Sequence, residues 1–590
     1  MGSNVAYHRR RDIFICLRPS LGPAMRRSCK PTGGNLGSIY QPLHWSNRFG
    51  LLRFAWPRFP YQCASDELYF FPRSEKALDG LGSLDGLDPA SIKGAVEHAR
   101  NLEEELEAAE PINLEEEIDR LTLAKSIERF IWHFGRAKSW RRNPTLYVKI
   151  PLFAIDEVLA RDFQSPDELR QVPAGILFQI PGFLVQGIDN LERSSALSAS
   201  VAAEMARDAV SFFRDDVVLF IEEKLNADAD LLKSTHVAVD GWQSYEKSLR
   251  DLSAEPSFCQ GERAMAEMFT TGLDYPRSPS EVLALAEKGY RSTLEGILTL
   301  AKQIDPREPW QRLVEYEDVA VESSHGVLEV YRKEVQCLRS FFYTHDVLSF
   351  PTGEQVEVAP TQSYLSSLRA TASYRTPLTG RPGRSGVFYI TPGTQLRGLI
   401  LSHRSYLSAH ETYPGHHVLD TIRLHHPSPI RRQIESPLFY EGWACYAETL
   451  LDELDYTTDP RQRLVDLQRQ LWRDLRAVLD IRPQTDKITM EQAVRGIEAI
   501  GLSRDSAARQ VRRFALTPGY QSCYFVGMHE ILRLRERFAG RLGLKAFHDL
   551  LFGGGQLSFE LVAKRIEAFI ANEEETRLSE HSARVDRFAP

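Results

Sequence analysis

The sequence predicts a large, mainly α fold with a small β-sheet beside a candidate metal-binding helix and a cleft between helical lobes. Three observations carry that expectation. From residue 85 onward, capping residues and apolar residues at three- and four-residue steps recur. Strand-type runs are confined to two short segments between residues 355 and 390. Six of the sixteen histidines lie between His403 and His426, in a stretch that also carries the spacing of a helical metal site.

Taken in order, residues 1–60 hold many Arg, Pro and Gly and few acids, and are expected to form a poorly ordered N-terminal extension. Arg9-Arg10-Arg11 is followed by only five apolar residues, Ile13 to Leu17, short of the ~7–15 of a secretory core. An N-terminal helical lobe is expected over 61–355 and a C-terminal catalytic region over 356–590. Asp88-Pro89 reads as an N-cap with proline at the first helical position. The acidic stretch Leu102 to Ile118 reads as one exposed helix. Gln355 to Val358 and Gly386 to Ile390 read as strands, with Pro377 to Ser385 a Pro/Gly-rich loop between them. Asp459-Pro460 opens a helix carrying Leu464, Leu467, Leu471, Leu475 and Val478 on one face. Thr489 with Gln492 fits a capping box before Val494, Ile497 and Ile500, and Gly501 stops that helix. Ser558 caps a last helix bearing Val562, Ile566 and Phe569.

A chain of 590 residues can bury a large core or several lobes. The formal charge of −8 argues against a general nucleic-acid binder, and Arg431-Arg432 and Arg512-Arg513 read as solvated helix faces. Seven scattered cysteines without a Cys-x-x-Cys form neither a disulfide framework nor a cysteine zinc site, and fit a reducing compartment. Cys445 and Cys523 read as small core fillers. No uninterrupted apolar run approaches the ~20 residues of a membrane helix. A cytoplasmic protein with neither nucleic-acid nor membrane partner is therefore expected.

The chemistry concentrates in His410-Glu411-Thr412-Tyr413-Pro414-Gly415-His416-His417, followed thirty residues after Glu411 by Glu441-Gly442-Trp443-Ala444-Cys445-Tyr446-Ala447-Glu448. Two imidazoles, a neighbouring carboxylate and a later glutamate make a catalytic zinc site. In the common form the histidines stand four apart on one helical face. Here the second follows at i+6 or i+7, roughly 600° around or roughly 10 Å along an undisturbed helix, and neither position chelates one ion easily. Pro414 resolves this: four residues after His410, it cannot bond that carbonyl, and with Gly415 it marks a kink that re-aims His416 beside His410. Zinc is thus expected on His410, His416 and Glu441, with His417 the alternative second histidine. Asp420 is a candidate partner for the other N–H of His416, and Glu448 one for His410. Glu411 is the candidate general base.

These residues resemble the bacterial family catalogued as domain of unknown function 885, which is described as zinc-dependent and carboxypeptidase-like. A third matching stretch is Pro518-Gly519-Tyr520-Gln521-Ser522-Cys523-Tyr524-Phe525-Val526-Gly527, with Leu532-Arg533 and Phe547-His548-Asp549 beyond it. The likeness covers about residues 60–590 and is most specific after 385; Tyr520 stands where the family commonly has Gln. More distantly, the order of parts is similar to helical metallopeptidases of the thimet-oligopeptidase and carboxypeptidase Taq kinds. The resemblance implies a metallopeptidase-like helical fold and a zinc-dependent hydrolase cleaving peptide bonds of short peptides, with C-terminal attack one option. Tyr524, with Tyr520 four residues earlier, is the candidate oxyanion donor. Arg533 is the candidate clamp for a substrate carboxylate. The same metal chemistry would serve an amidohydrolase of a non-peptide or modified amino-acid substrate. A scaffold with a vestigial site is the remaining alternative, against which the intact His-Glu pair argues.

Overall fold

Helix starts follow their capping residues. The computed structural model describes residues 54–65, 71–74, 77, 80, 82–160, 165–315, 324–361, 372–376, 386–391 and 401–586. Asp88 accepts from the backbone N–H groups of Ala90 and Ser91 and opens α1 (Pro89–Glu107). Then come α2 (Pro166–Asn190), α3 (Ala229–Asp251), α4 (Pro279–Ile304) and α5 (Ser324–His345). The strands are β1 (Val356–Pro360), β2 (Ala372–Arg375) and β3 (Gly386–Ile390). They precede α6 (Arg404–Glu411), α7 (His416–Leu424), α8 (Pro437–Glu453), α9 (Pro460–Ile481), α10 (Ser522–Leu542) and α11 (Phe559–Asp586). The expected capping box forms: Thr489 and Gln492 bond each other's backbone, and Gly501 ends that segment at φ +103°.

The fold is mainly α with one small sheet. Its strand order is β1-β3-β2, with β1 parallel and β2 antiparallel to the central β3. The two expected strands form, β1 one residue later at its start. The four-residue β2 has too little alternation to be read from sequence. The expected loop Pro377 to Ser385 lies outside the described residues.

Three expectations need correction. Residues 1–53 lie outside the described residues, but Phe54 and Phe59, placed in the extension, are buried in the N-terminal core. The acidic stretch Leu102 to Ile118 is not one helix: α1 ends at Glu107 and a second helix begins at Leu114 under an Asn113 cap. Pro111 between them cannot continue a helix. Nor is that stretch all exposed: Asp119, one residue beyond it, is buried and accepts from Arg431 Nε at 2.6 Å, while Glu115 accepts from Arg431 Nη1 at 2.6 Å. Arg431 is therefore no solvated residue but a buried tie, and Arg512 pairs with Glu204 at 2.7 Å.

Two apolar cores share one compact unit, Pro42–Pro590. One gathers residues from Phe54 to Leu249 together with Ile430 and Ile434; the other runs from Met265 to Ile570 and takes in Ile118. The changeover thus falls between Leu249 and Met265, not at residue 355, because α4 packs along α9 and α5 along α6. Helix α2 is by length and composition apolar enough to cross a membrane, although Gln179 and Gln186 interrupt its apolar run. Its Ile176, Leu177, Ile180 and Leu184 are buried in the N-terminal core against α3.

Candidate metal centre

The ligand helix breaks where Pro414 and Gly415 stand. α6 ends at Glu411 and α7 starts at His416. Between them the Gly415 N–H donates to the Ala409 carbonyl at 2.9 Å, so the chain folds back on the last turn of α6. A Cβ on Gly415 would stand 1.9 Å from the His410 carbonyl oxygen. Glycine is required by this approach of backbone to backbone, not by a left-handed conformation. Trp443 Nε1 donates to the Pro414 carbonyl at 2.7 Å and pins the turn to α8. His416 is thereby set beside His410, ring centroids 4.7 Å apart and planes at 86°.

Glu441 completes the group from α8. Its Oε2 is 3.6 Å from His410 Nε2 and 3.5 Å from His416 Nε2. All three residues are buried, and among the described residues Oε2 has no hydrogen-bond partner. Zinc bonds of ~2.0–2.1 Å in a tetrahedron separate ligand atoms by about 3.4 Å, so the spacing fits one ion with two imidazole nitrogens and a carboxylate oxygen. A buried carboxylate oxygen aimed at two imidazoles and bonded to none is the vacancy in hydrogen bonding that a cation would fill. Among the described residues this is the one His/Cys/Asp/Glu group with such spacing.

The surroundings orient each member. His410 Nδ1 lies 2.8 Å from Glu448 Oε1, off the line of a straight hydrogen bond. Glu448, fully buried, is held by Arg469 (2.6 and 2.8 Å) and Arg473 of α9. Burial opposes the Glu448 charge, but the two guanidiniums hold its pKa well below the carboxylate range. Burial likewise works against charge at Glu441 and His410. The closeness of the His410 and His416 imidazoles nevertheless holds Glu441 low, and contacts with Cys445, Glu441 and Glu448 hold His410 high. His416 stacks on Tyr440 at 3.9 Å. Asp420 is not its partner: fully buried, it accepts from Arg423 at 3.0 Å, from Tyr440 at 3.3 Å and from Thr376.

His417, the alternative ligand, faces elsewhere. Its Nε2 is 2.9 Å from Glu354 Oε2 and its Nδ1 3.3 Å from the Tyr374 hydroxyl. Glu354 also accepts from Arg339 at 2.9 Å, from Tyr343 at 2.8 Å and from Tyr413.

Glu411 is buried at the end of α6, and among the described residues none holds its carboxylate by a hydrogen bond or ion pair. The tyrosines arrive on α10 and the turn before it. α8 and α10 cross backbone to backbone: a Cβ on Gly442 would meet Gly527 C at 2.3 Å, and one on Gly527 would meet the Leu438 carbonyl oxygen at 1.9 Å. At this crossing the Tyr520 hydroxyl donates to Glu441 Oε1 at 2.7 Å. The Tyr524 ring stands 6.0 Å from that of Tyr520. Burial first, then the charge and hydrogen bonding of Glu441, raise the Tyr524 phenol. Asp480 of α9 anchors this turn by accepting from Gly519 N–H and Ser522 N–H at 2.9 Å each.

Arg533 does not join the site. Its side chain is 50% exposed and bonds Glu530 at 2.7 Å, one turn back on α10. His548 is a core residue between Tyr446 and the Val347 carbonyl. Sequence reading missed Glu354, Tyr440, Trp443, Arg469, Arg473 and Arg476.

The comparisons agree with the fold. The chain belongs to the bacterial protein family of unknown function DUF885, whose sequence profile matches residues 76–566. Two solved structures are similar. One is titled a "putative lipoprotein of unknown function" from Shewanella oneidensis, 18% identical, TM-score 0.71, covering 88% of this chain and 98% of its own. The other, a "putative lipoprotein" from Colwellia psychrerythraea, is 19% identical with TM-score 0.74 and the same coverages. No curated protein matches the chain. The lipoprotein titles of both neighbours overturn the cytoplasmic placement expected from composition.

Proposed function

We propose that this DUF885 member is a zinc-dependent hydrolase of peptide bonds in short peptides. One observation carries the reading: His410, His416 and Glu441 converge, buried, around an unbonded carboxylate oxygen, with the uncommitted carboxylate of Glu411 on the residue next to His410. When bound there, zinc supplies Lewis acidity toward a carbonyl oxygen and toward water. Glu411 takes the proton of the attacking water and passes it to the leaving amine as the C–O bond forms and the C–N bond breaks. Tyr524 offers a phenol O–H to the oxygen that becomes negative, while the Tyr520 hydroxyl is spent on Glu441 Oε1. Glu448, fixed by two arginines, sets a negative charge 2.8 Å from His410 Nδ1.

The test is zinc content of the purified protein, followed by chelator-sensitive release of amino acids from a short-peptide library. Glu411→Gln should keep zinc and lose ~10²–10⁴ of turnover, the usual contribution of a general base. Near-normal turnover in that variant, or a wild-type protein that takes up no zinc, would refute the reading.

A further inference from the structure

Arg476 differs from the other arginines around the site. Arg469 and Arg473 hold Glu448, Arg423 holds Asp420 and Glu435, and Arg339 holds Glu354. Arg476, on α9, has no carboxylate partner among the described residues. Its guanidinium carbon lies 3.7 Å over the Tyr524 ring, with Trp472 and Phe514 at 5.9 and 5.8 Å. Its Nε and Nη2 donate to the neutral Gln521 amide oxygen at 3.0 and 2.5 Å. Stacking and the amide fix the guanidinium plane, and the Nη1 edge carries no protein acceptor among the described residues. The residue is half-buried, so its charge is screened less than that of an exposed arginine.

This cation stands in line with the metal centre. Glu441 bonds Tyr520, Tyr520 packs edge-on to Tyr524, and Tyr524 lies under Arg476. The two ring widths between Glu441 and Arg476 are spanned by a few extended residues at ~3.3–3.6 Å each. A guanidinium held by stacking and an amide, with one edge open, matches the geometry of a carboxylate.

We propose that Arg476 is the specificity-determining anchor for a substrate carboxylate, so that this site takes short peptides with a free C-terminus and releases residues from that end. The proposal rests on the peptidase reading for its cleavage step, but not for the binding step. It moves the carboxylate clamp from Arg533 to Arg476.

The experiment is calorimetric binding of a short peptide carrying a free C-terminal carboxylate, and of the same peptide as its C-terminal amide, to the chelator-treated full chain. Wild type should prefer the acid by about 10–100-fold, the usual worth of one or two charge-assisted hydrogen bonds. Arg476→Gln should erase that preference while leaving amide binding unchanged; Arg476→Lys, which keeps charge without the fork, should restore part of it. Equal wild-type affinity for acid and amide overturns the proposal whatever the variants do. A full preference retained in folded Arg476→Gln also overturns it. The zinc-loaded protein is then given both peptides. Acid preference in binding without cleavage of either would leave the anchor standing and remove the peptidase reading.

Discussion

Two buried histidine–glutamate corners sit one residue apart in the chain and differ in a single respect. In the His417 corner every acceptor is claimed: Glu354 takes four donors, and both ring nitrogens of His417 have neighbours. In the His416 corner, among the described residues, Glu441 Oε2 accepts nothing and His416 Nδ1 has no partner. The residue types are the same and so is the burial. The satisfied corner reads as structure and the unsatisfied one as a cation site, because a buried polar atom without a partner costs ~1–3 kcal/mol that something else must offset. Histidine clustering in a sequence says nothing of this; the count of unclaimed lone pairs does.

The sharpest way to break the comparison is metal stoichiometry. His410→Ala, His416→Ala and Glu441→Ala should bring bound zinc per chain close to zero, and His417→Ala should leave it unchanged. Loss of zinc from His417→Ala would show that the two corners are one site. Next in size is the tyrosine pair. Tyr524→Phe should lower turnover by ~10²–10³ while zinc and peptide binding hold, since an oxyanion bond strengthens only in the transition state. Tyr520→Phe removes the donor on Glu441 and should weaken zinc affinity by about 10–100-fold. An unchanged zinc affinity would detach Tyr520 from the metal centre.

The smallest effect lies in the satisfied corner. Glu354→Gln removes the charge from a carboxylate whose arginine partner, Arg339, is half-exposed, and should cost about 1 kcal/mol of stability in denaturant titration, with zinc retained. Burial works to raise the Glu354 pKa, but the hydrogen bonds from His417, Tyr413 and Tyr343 outweigh it and hold it below the ordinary glutamate value. A depressed acid stabilises the fold above its unfolded-state pKa of ~4.5 and loses that contribution as pH falls through the lower folded value. Wild type should therefore lose stability steeply below pH ~4.5, and Glu354→Gln less steeply. Parallel acid limbs for the two proteins would place the titration elsewhere.

How far the sequence could be read follows from what kind of contact each feature needs. The helix starts at Asp88, Asp459 and Thr489 were legible because a cap bonds backbone two or three residues away. The break at Pro414 was legible because proline's missing N–H is local, and it carried the choice of His416 with it. Glu448 was reached through helical spacing from Glu441. Glu354 and Arg476 were not legible, since each meets the site from an element more than 40 residues away in sequence. Arg533 was misplaced for a different reason: its local partner Glu530, one turn back on the same helix, was in plain view and was not weighed against the clamp role. The lobe boundary was misread because core membership follows packing, and α4 and α5 pack forward in the chain.

The seam between Gly442 and Gly527 has a mechanical consequence. Two helices that touch through bare backbone have no side chain between them to yield, so the joint has no play. Glu441 is cantilevered from one side of this joint and the Tyr520–Tyr524 pair from the other. A methyl group inserted at Gly442 acts as a wedge several residues long in its reach: it parts α8 from α10 and lengthens the Tyr520–Glu441 gap without touching either side chain. The tolerance of the whole centre is set at a seam that carries no side-chain atom.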